Sequence, residues 1–191
     1  DAGGTIIAWD DFEGGTTLAG RTAPSGQAWT NVLNGTITGG RLAASGDKIG
    51  FLDLGVPLNG TVSATIALTN PHTGGQSLRV RATDSGNSLA VVMISGQLHL
   101  FKVVGGVWTA LATAASLTLR TPGPYRLHVS IYGSIMYGDL LTLTGVLISS
   151  ISYTLTGDDE TTFATPTKVG FQVYDTSQPR WFDDFLVRSY A

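Results

Sequence analysis

The chain contains no cysteine. That excludes a disulfide scaffold, a cysteine-ligated zinc site and a thiol nucleophile, and it leaves the compartment open. Charge is scarce too: 13% of the 191 residues are charged, against about 25% in ordinary globular chains. Thr, Ser and Gly must therefore cover much of the surface. A net charge of −3 supplies no basic field for nucleic acid or an anionic membrane, so neither is an expected partner. Long apolar runs are missing. The stretch L-A-V-V-M-I (89–94) is typical, far short of the ~20 apolar residues that a membrane helix needs. No basic leader precedes a hydrophobic stretch, so no signal peptide is expected, and a start at Asp1 suggests a processed form or a piece of a longer chain.

Helical periodicity is nearly absent as well; what the chain has instead is alternation of period two. S-L-R-V-R-A-T (77–83), Q-L-H-L-F-K-V (97–103) and Y-R-L-H-V-S-I-Y (125–132) each place apolar and polar residues on opposite faces. Further strands are expected at 5–12, 62–69, 88–94, 107–113, 146–155, 168–174 and 181–187. Turns are expected at S-G-N (85–87), S-G (95–96), G-G (105–106) and T-P-G-P (121–124). Many short strands with glycine-rich turns mean an all-β fold, an antiparallel β-sandwich or barrel. Hydrophobic residues make up 42%, enough for a proper core, and no linker-like tract or 20–50-residue repeat divides the chain. One domain over residues 1–191 is the expectation.

The N-terminal stretch D-D-F-E-G-G-T-T-L-A-G-R-T-A-P-S-G-Q-A-W-T-N-V-L-N-G (10–35), followed by G-G-R-L (39–42), resembles a module of bacteriophage tail and fibre proteins. N-S-L-A-V-V-M-I-S-G-Q-L-H-L-F-K-V-V-G-G-V-W-T-A-L-A (87–112), Y-R-L-H-V-S-I-Y-G-S-I-M-Y-G (125–138) and W-F-D-D-F-L-V (181–187) resemble its middle and end. The resemblance spans nearly the whole chain through short, degenerate motifs. It implies a concanavalin A-like, laminin-G-like jelly roll, a fold that hosts lectins, enzymes and structural modules alike.

The same cluster, Asp-Asp-Phe beside a tryptophan, recurs at residues 8–13 and 181–185. In jelly rolls of this kind the first and last strands run side by side, which would bring the two together. Along the last strand Asp183 shares a face with Phe185 and Val187, which read as core, so Asp183 is expected to point inward. Clustered carboxylates repel unless neutralised, and Ca²⁺ suits such oxygen-rich sites. F-E-x-G near the start and D-D near the end also resemble secreted carbohydrate-binding jelly rolls with a structural calcium between the termini. Asp11, Glu13 and Asp183 are the candidate calcium ligands. The alternative is edge carboxylates bonded to turn amides, or paired with Arg180 or Arg188.

Catalysis is not expected. Glycosidases of the concanavalin A-like type that the chain resembles pair two carboxylates, in a familiar family as E-x-D-x-E or E-x-D-x-x-E on one strand. The two glutamates, Glu13 and Glu160, lie far apart outside either pattern. Asp158-Asp159-Glu160 reads as a solvated loop, with calcium ligation the minor alternative. His72, His99 and His128 sit in separate segments without metal spacing; His72, after Asn-Pro, reads as a turn residue. No G-x-S-x-G elbow or phosphate loop is present.

Binding surfaces have two candidates. Trp9, Trp29 and Trp181 read as core, whereas Trp108, just past a hairpin turn, is a partly exposed platform or a packing residue. Alternation also gives Arg79, Arg81 and Thr83 one face, Gln97 and His99 another, and Arg126, His128 and Ser130 a third. Were these strands neighbours, they would form an Arg/His-studded face for acidic sugars or another subunit; otherwise they are the solvent side of a half-buried sheet. The expected role is a non-enzymatic lectin-like sandwich on a phage virion surface, in a tail, fibre or capsid appendage. Its partners would be cell-surface glycan, other virion proteins or copies of itself. A structural subunit without sugar binding and a carbohydrate-binding module of a secreted bacterial enzyme are the alternatives.

Overall fold

The structure is a computed structural model, and it describes residues 4–30, 35–44, 48–68, 75–117, 123–174 and 180–190. Within them the strands in chain order are β1 (Thr5–Asp10), β2 (Trp29–Thr30), β3 (Thr36–Thr38), β4 (Arg41–Ala44) and β5 (Lys48–Asp53). Then come β6 (Gly60–Leu68), β7 (Gly75–Asp84), β8 (Asn87–Ile94), β9 (Gln97–Val104), β10 (Val107–Thr113) and β11 (Gly123–Tyr132). The last are β12 (Ile135–Leu141), β13 (Leu147–Thr154), β14 (Lys168–Tyr174) and β15 (Arg180–Ser189), with a one-turn helix, α1 (Asp158–Thr162), before β14. Every strand expected from alternation is there. The Asp158-Asp159-Glu160 segment is helix rather than loop, and Asp159 caps the sandwich by taking both its oxygens to Lys102 Nζ at 2.7 Å.

Two antiparallel sheets stack face to face. One runs β13-β12-β11-β6-β15-β4-β3, with β1 also on β15; the other runs β10-β9-β8-β7-β14-β5-β2. Inward residues of both sheets form one core, including Leu78, Leu89, Val91, Leu98 and Leu100 from one and Val62, Ala64, Leu127, Val129 and Ile131 from the other. At one end of that core the rings of Phe12, Trp29, Phe171, Phe182 and Phe185 form a chain with centroid separations from 4.9 to 6.4 Å.

The expected pairing of first and last strands holds: β1 lies antiparallel to β15, with Asp10 opposite Phe185. The other edge of β1 is closed by side chains instead of a strand. Ser25 Oγ accepts from Trp9 N at 2.9 Å and donates to Trp9 O at 3.1 Å, and Gln27 Nε2 donates to Ile7 O at 3.0 Å. Trp29 Nε1 completes the row by donating to Asp10 Oδ2 at 2.8 Å. The S-G-Q-A-W stretch thus acts as a polar zipper along β1.

Asp10, fully buried, is the carboxylate of the N-terminal pair that faces the core. It accepts Phe12 N at 2.8 Å and a two-pronged contact from Arg21, Nε at 2.9 Å and the second guanidinium nitrogen at 2.8 Å. Arg21 in turn donates to the carbonyls of Glu13 and Gly14, which fixes the turn after β1. Its hydrogen bond to Asp10 raises the Arg21 pKa, so the guanidinium stays charged. Replacing Asp10 with Ala strands a guanidinium and an indole N–H. We expect Asp10→Ala to lower unfolding free energy by about 3–5 kcal/mol, read from urea denaturation at neutral pH; a loss under about 1 kcal/mol would show that the network is not structural.

Candidate functional site

The last strand contains the feature that shapes the surface. From Arg180 its buried residues alternate, Arg180 and Phe182, until a bulge between Asp183 and Leu186 inserts one residue against β6. Asp184 takes φ +50° there, and beyond it Phe185 and Val187 face the core. Bulges re-aim side chains, and a non-glycine residue in the left-handed region is strained. The bulge therefore corrects the sequence expectation: Asp183 does not share the inward face of Phe185 and Val187 but lies half-buried at the surface, 3.6 Å from Arg41 Nε. Burial and the neighbouring Asp184 charge raise its pKa, partly offset by bonds from Asp184 N and Arg41.

Beside the bulge an open pocket of about 400 Å³ opens on the outer face of the eight-stranded sheet. Trp9 forms one wall, 39% exposed, which corrects its assignment to the core. The parity of β1 turns Ala8 and Asp10 inward and leaves Trp9 outside. Ile6 and Leu186 give the pocket an apolar side, and Asp11, Ser63, Arg126 and Asp184 supply polar groups. Asp184 is held by Thr65 Oγ1 at 3.3 Å, and Asp11 by Glu13 N at 3.0 Å. Arg126 makes no salt bridge among the described residues. Register places Trp9, Leu186, Ser63, His128 and Asp139 in one row across five strands.

His128 sits in this row with Nε2 buried and unbonded among the described residues. Burial, helped by the Arg126 charge and opposed by Asp139, lowers its pKa to about 4. The residue is a neutral part of the sheet surface at physiological pH.

Arg79, Arg81, His99 and Trp108 lie on the other sheet, away from Arg126 and His128. The single Arg/His face anticipated from alternation does not form, because alternation fixes a side but not a sheet. Arg79 is fully buried. It bonds Ser88 Oγ and Gln172 Oε1, and its guanidinium lies 4.3 Å from the Trp108 ring centre. Arg81, at φ +45° where the β7–β8 register shifts, turns away and donates to the carbonyls of Leu58 and Phe163 at 3.2 Å. It is a strut between loops. His99 bonds Thr113 Oγ1 at 3.0 Å, and burial lowers its pKa. His72 lies outside the described residues.

The three carboxylates expected to hold calcium do not converge. Asp11 is engaged by the Glu13 amide, Glu13 packs its carboxylate against Gly40, and Asp183 faces Arg41. Among the described residues no group of three or more His, Asp or Glu side chains fits a metal ion. Of the alternatives, the turn-amide one applies: Asp183 Oδ1 accepts Asp184 N at 2.9 Å, whereas Arg188 reaches the Gly4 carbonyl. Trp181, read as core, is only half-buried, with the Arg41 guanidinium 4.2 Å above its ring.

No family model matches this chain, and no curated protein does. Solved structures do. The carbohydrate-binding module CBM66 from Bacillus subtilis is 16% identical, with a TM-score of 0.59 over 97% of this chain and 98% of that one. The CBM2 module of the evolved Dit protein of Lactobacillus casei BL23 phage J-1 is 12% identical, TM-score 0.58, over 97% of each chain. SCLam, a non-specific endo-β-1,3(4)-glucanase of family GH16, is 11% identical, TM-score 0.60, over 98% of this chain and 91% of that one. At such identities the likeness establishes the fold, an all-β antiparallel sandwich of the concanavalin A-like jelly-roll type.

Two outcomes follow for this site. Because exposed ion pairs contribute about 0–1 kcal/mol, Asp183→Ala should change stability by less than about 1 kcal/mol, and the thermal midpoint should ignore both EDTA and added Ca²⁺. A calcium-dependent rise lost in Asp183→Asn would restore the metal. For His128, the unfolded side chain titrates near 6.5 and the folded one near 4, so between these values only the unfolded chain binds the proton. The stabilisation is complete above about pH 6.5 and is lost as pH falls toward 4, by about 3 kcal/mol. Urea denaturation at pH 7 and pH 4.5 should show a smaller fall in His128→Gln than in the parent chain. An NMR midpoint above 6 for His128 would refute it.

Proposed function

We propose that this chain is a non-catalytic, lectin-like module that binds glycan in the pocket between Trp9 and Asp184. The observation that carries the reading is a half-exposed indole set among hydrogen-bonding side chains on a rigid sheet. Pyranose rings present C–H faces that stack on aromatic rings and hydroxyls that need donors and acceptors. Trp9, Ile6 and Leu186 serve the first need; Asp11, Asp184, Ser63 and Arg126 serve the second. The pocket lies on paired strands and its indole backbone is clamped by Ser25, so little ordering accompanies binding.

The non-catalytic reading rests on the floor of the pocket. Ser63 and Leu186 occupy the facing strand positions, and neither glutamate lines the pocket. Its carboxylates are engaged, Asp10 by Arg21 and Trp29, Asp11 by Glu13 N and Asp184 by Thr65. The setting we infer is outside the cell, on a phage particle as part of a tail, fibre or capsid appendage that attaches to host-surface glycan. The resemblance of its motifs to phage tail modules favours it, as does the likeness to a module of a phage Dit protein. The likeness to CBM66 favours a second reading with the same chemistry, a binding module of a secreted bacterial enzyme.

A glycan array followed by calorimetry tests the site. The chain should bind at least one surface glycan without releasing reducing sugar. Trp9→Ala should weaken that binding ten-fold or more, while Asp183→Ala, outside the pocket, leaves it unchanged. Equal affinity in Trp9→Ala would remove this pocket from the reading, and steady hydrolysis would overturn the non-catalytic assignment.

A further inference from the structure

The opposite sheet carries a different cavity. Val92, Ile94, Phe101 and Trp108 line a cleft of about 280 Å³ on its outer face. Its floor is uncharged, and it is slightly smaller than the usual range for small-molecule pockets, about 300–1,000 Å³. It therefore suits part of a small neutral ligand and not a folded partner.

The cleft is rigid for reasons that its core-facing residues do not explain. Trp108 packs edge-on to Phe101, with ring centres 5.5 Å apart at 78°. Its face is held by the buried guanidinium of Arg79 at 4.3 Å, and Arg79 is anchored by Ser88 and Gln172. The indole is oriented before any ligand arrives. At the margin stands His99, the cross-strand partner of Val92, with its ring 5.6 Å from Phe101. Its Nδ1 is taken by Thr113, which leaves Nε2 for a ligand hydroxyl. Burial lowers its pKa, which favours the neutral imidazole.

A fully hydroxylated sugar face would lose water partners against this floor without replacement. A methyl group would not. We propose a second saccharide site here, selective for a sugar that buries a methyl group between Trp108, Phe101 and Val92, of the 6-deoxy or acetamido type. That it is a saccharide rests on the proposed glycan-binding role of the chain; that it is methyl-directed rests on this cleft alone. With the Trp9 pocket on the opposite sheet, the chain would then present two different sugar sites back to back and bridge two glycans.

Matched pairs test it: L-fucose against L-galactose, and N-acetylglucosamine against glucose, titrated into the full chain and followed by calorimetry and NMR. Burying one methyl should favour the methyl-bearing member of at least one pair by about four-fold or more. The preference identifies which methyl source is read. It should vanish in Trp108→Ala and in Ile94→Ser, a rim substitution that leaves the core intact, and persist in Trp9→Ala. Absence of preference in both pairs overturns the second site while leaving the Trp9 pocket standing. A preference abolished by Trp9→Ala overturns it as well, because the methyl is then read in the first pocket. A hydrocarbon dye bound at Trp108 without any methyl-sugar preference overturns the saccharide assignment. Binding lost only in Trp108→Ala and Ile94→Ser, with every sugar unaffected by Trp9→Ala, would instead support this site and remove the first.

Discussion

A carboxylate sealed inside a β-sandwich is tolerable only if its charge and its lone pairs are all engaged, and that condition organises the N-terminal third of this chain. Asp10 is engaged by a guanidinium, an indole N–H and a backbone amide. Each partner comes from a different stretch, so the ion pair fixes where those stretches lie. Arg21 brings the turn after β1 with it, Trp29 brings the start of β2, and Phe12 is held at φ +56°, a conformation it would not take unaided. Trp29 and Phe12 then meet Phe171 and Phe185 in the aromatic chain between the sheets. Hydrophobic packing and polar bonding thus converge on one residue, so the carboxylate supports more of the structure than its own contacts.

The outward geometry follows from the inward one. With Asp10 committed to the core, strand parity sends Trp9 to the outer face. With Phe182 and Phe185 both needed in the aromatic chain, β15 must accommodate three steps where two would keep parity, and the bulge supplies the extra residue. The cost is a left-handed Asp184; the consequence is a carboxylate that lines the same pocket as Trp9 and is held by Thr65. The recurring Asp-Asp-Phe sequences therefore serve different ends. In the first, one Asp holds the core and the next lines a pocket; in the second, both aspartates stay outside while the phenylalanines flanking them go in.

That difference marks what could be read from sequence. The strands longer than six residues announced themselves through alternation, with β12 the exception, its pattern interrupted by Gly138. The short strands β2 to β5 did not, since two to four residues give no period to detect and the apolar run of β5 is broken by Gly50. The side of each residue could be read, yet a single inserted residue reversed it, and nothing in W-F-D-D-F-L-V signals a bulge. Alternation also could not assign strands to sheets, so Arg79 and Arg126 shared a face only on paper. Trp9 beside Asp10 was recoverable in principle: once Asp10 is paired with the arginine of A-G-R, the indole preceding it must point the other way.

The scarcity of charge acquires a meaning once the arginines are placed. Arg21 and Arg79 are spent on tertiary structure, one neutralising Asp10 and the other bracing an indole, and Arg81 ties two loop carbonyls. Guanidinium suits such work because its planar fork satisfies several acceptors at once and stacks on aromatic rings. With so few charges in the chain, this leaves a surface of hydroxyls, amides and partly exposed rings. Such a surface has weak long-range steering, so selectivity must come from short-range shape and hydrogen bonding. Arg126 instead lines the Trp9 pocket on the outer sheet face, without a salt-bridge partner among the described residues. On the glycan-binding reading proposed above, that position sets its donors where the hydroxyls of a ligand would enter.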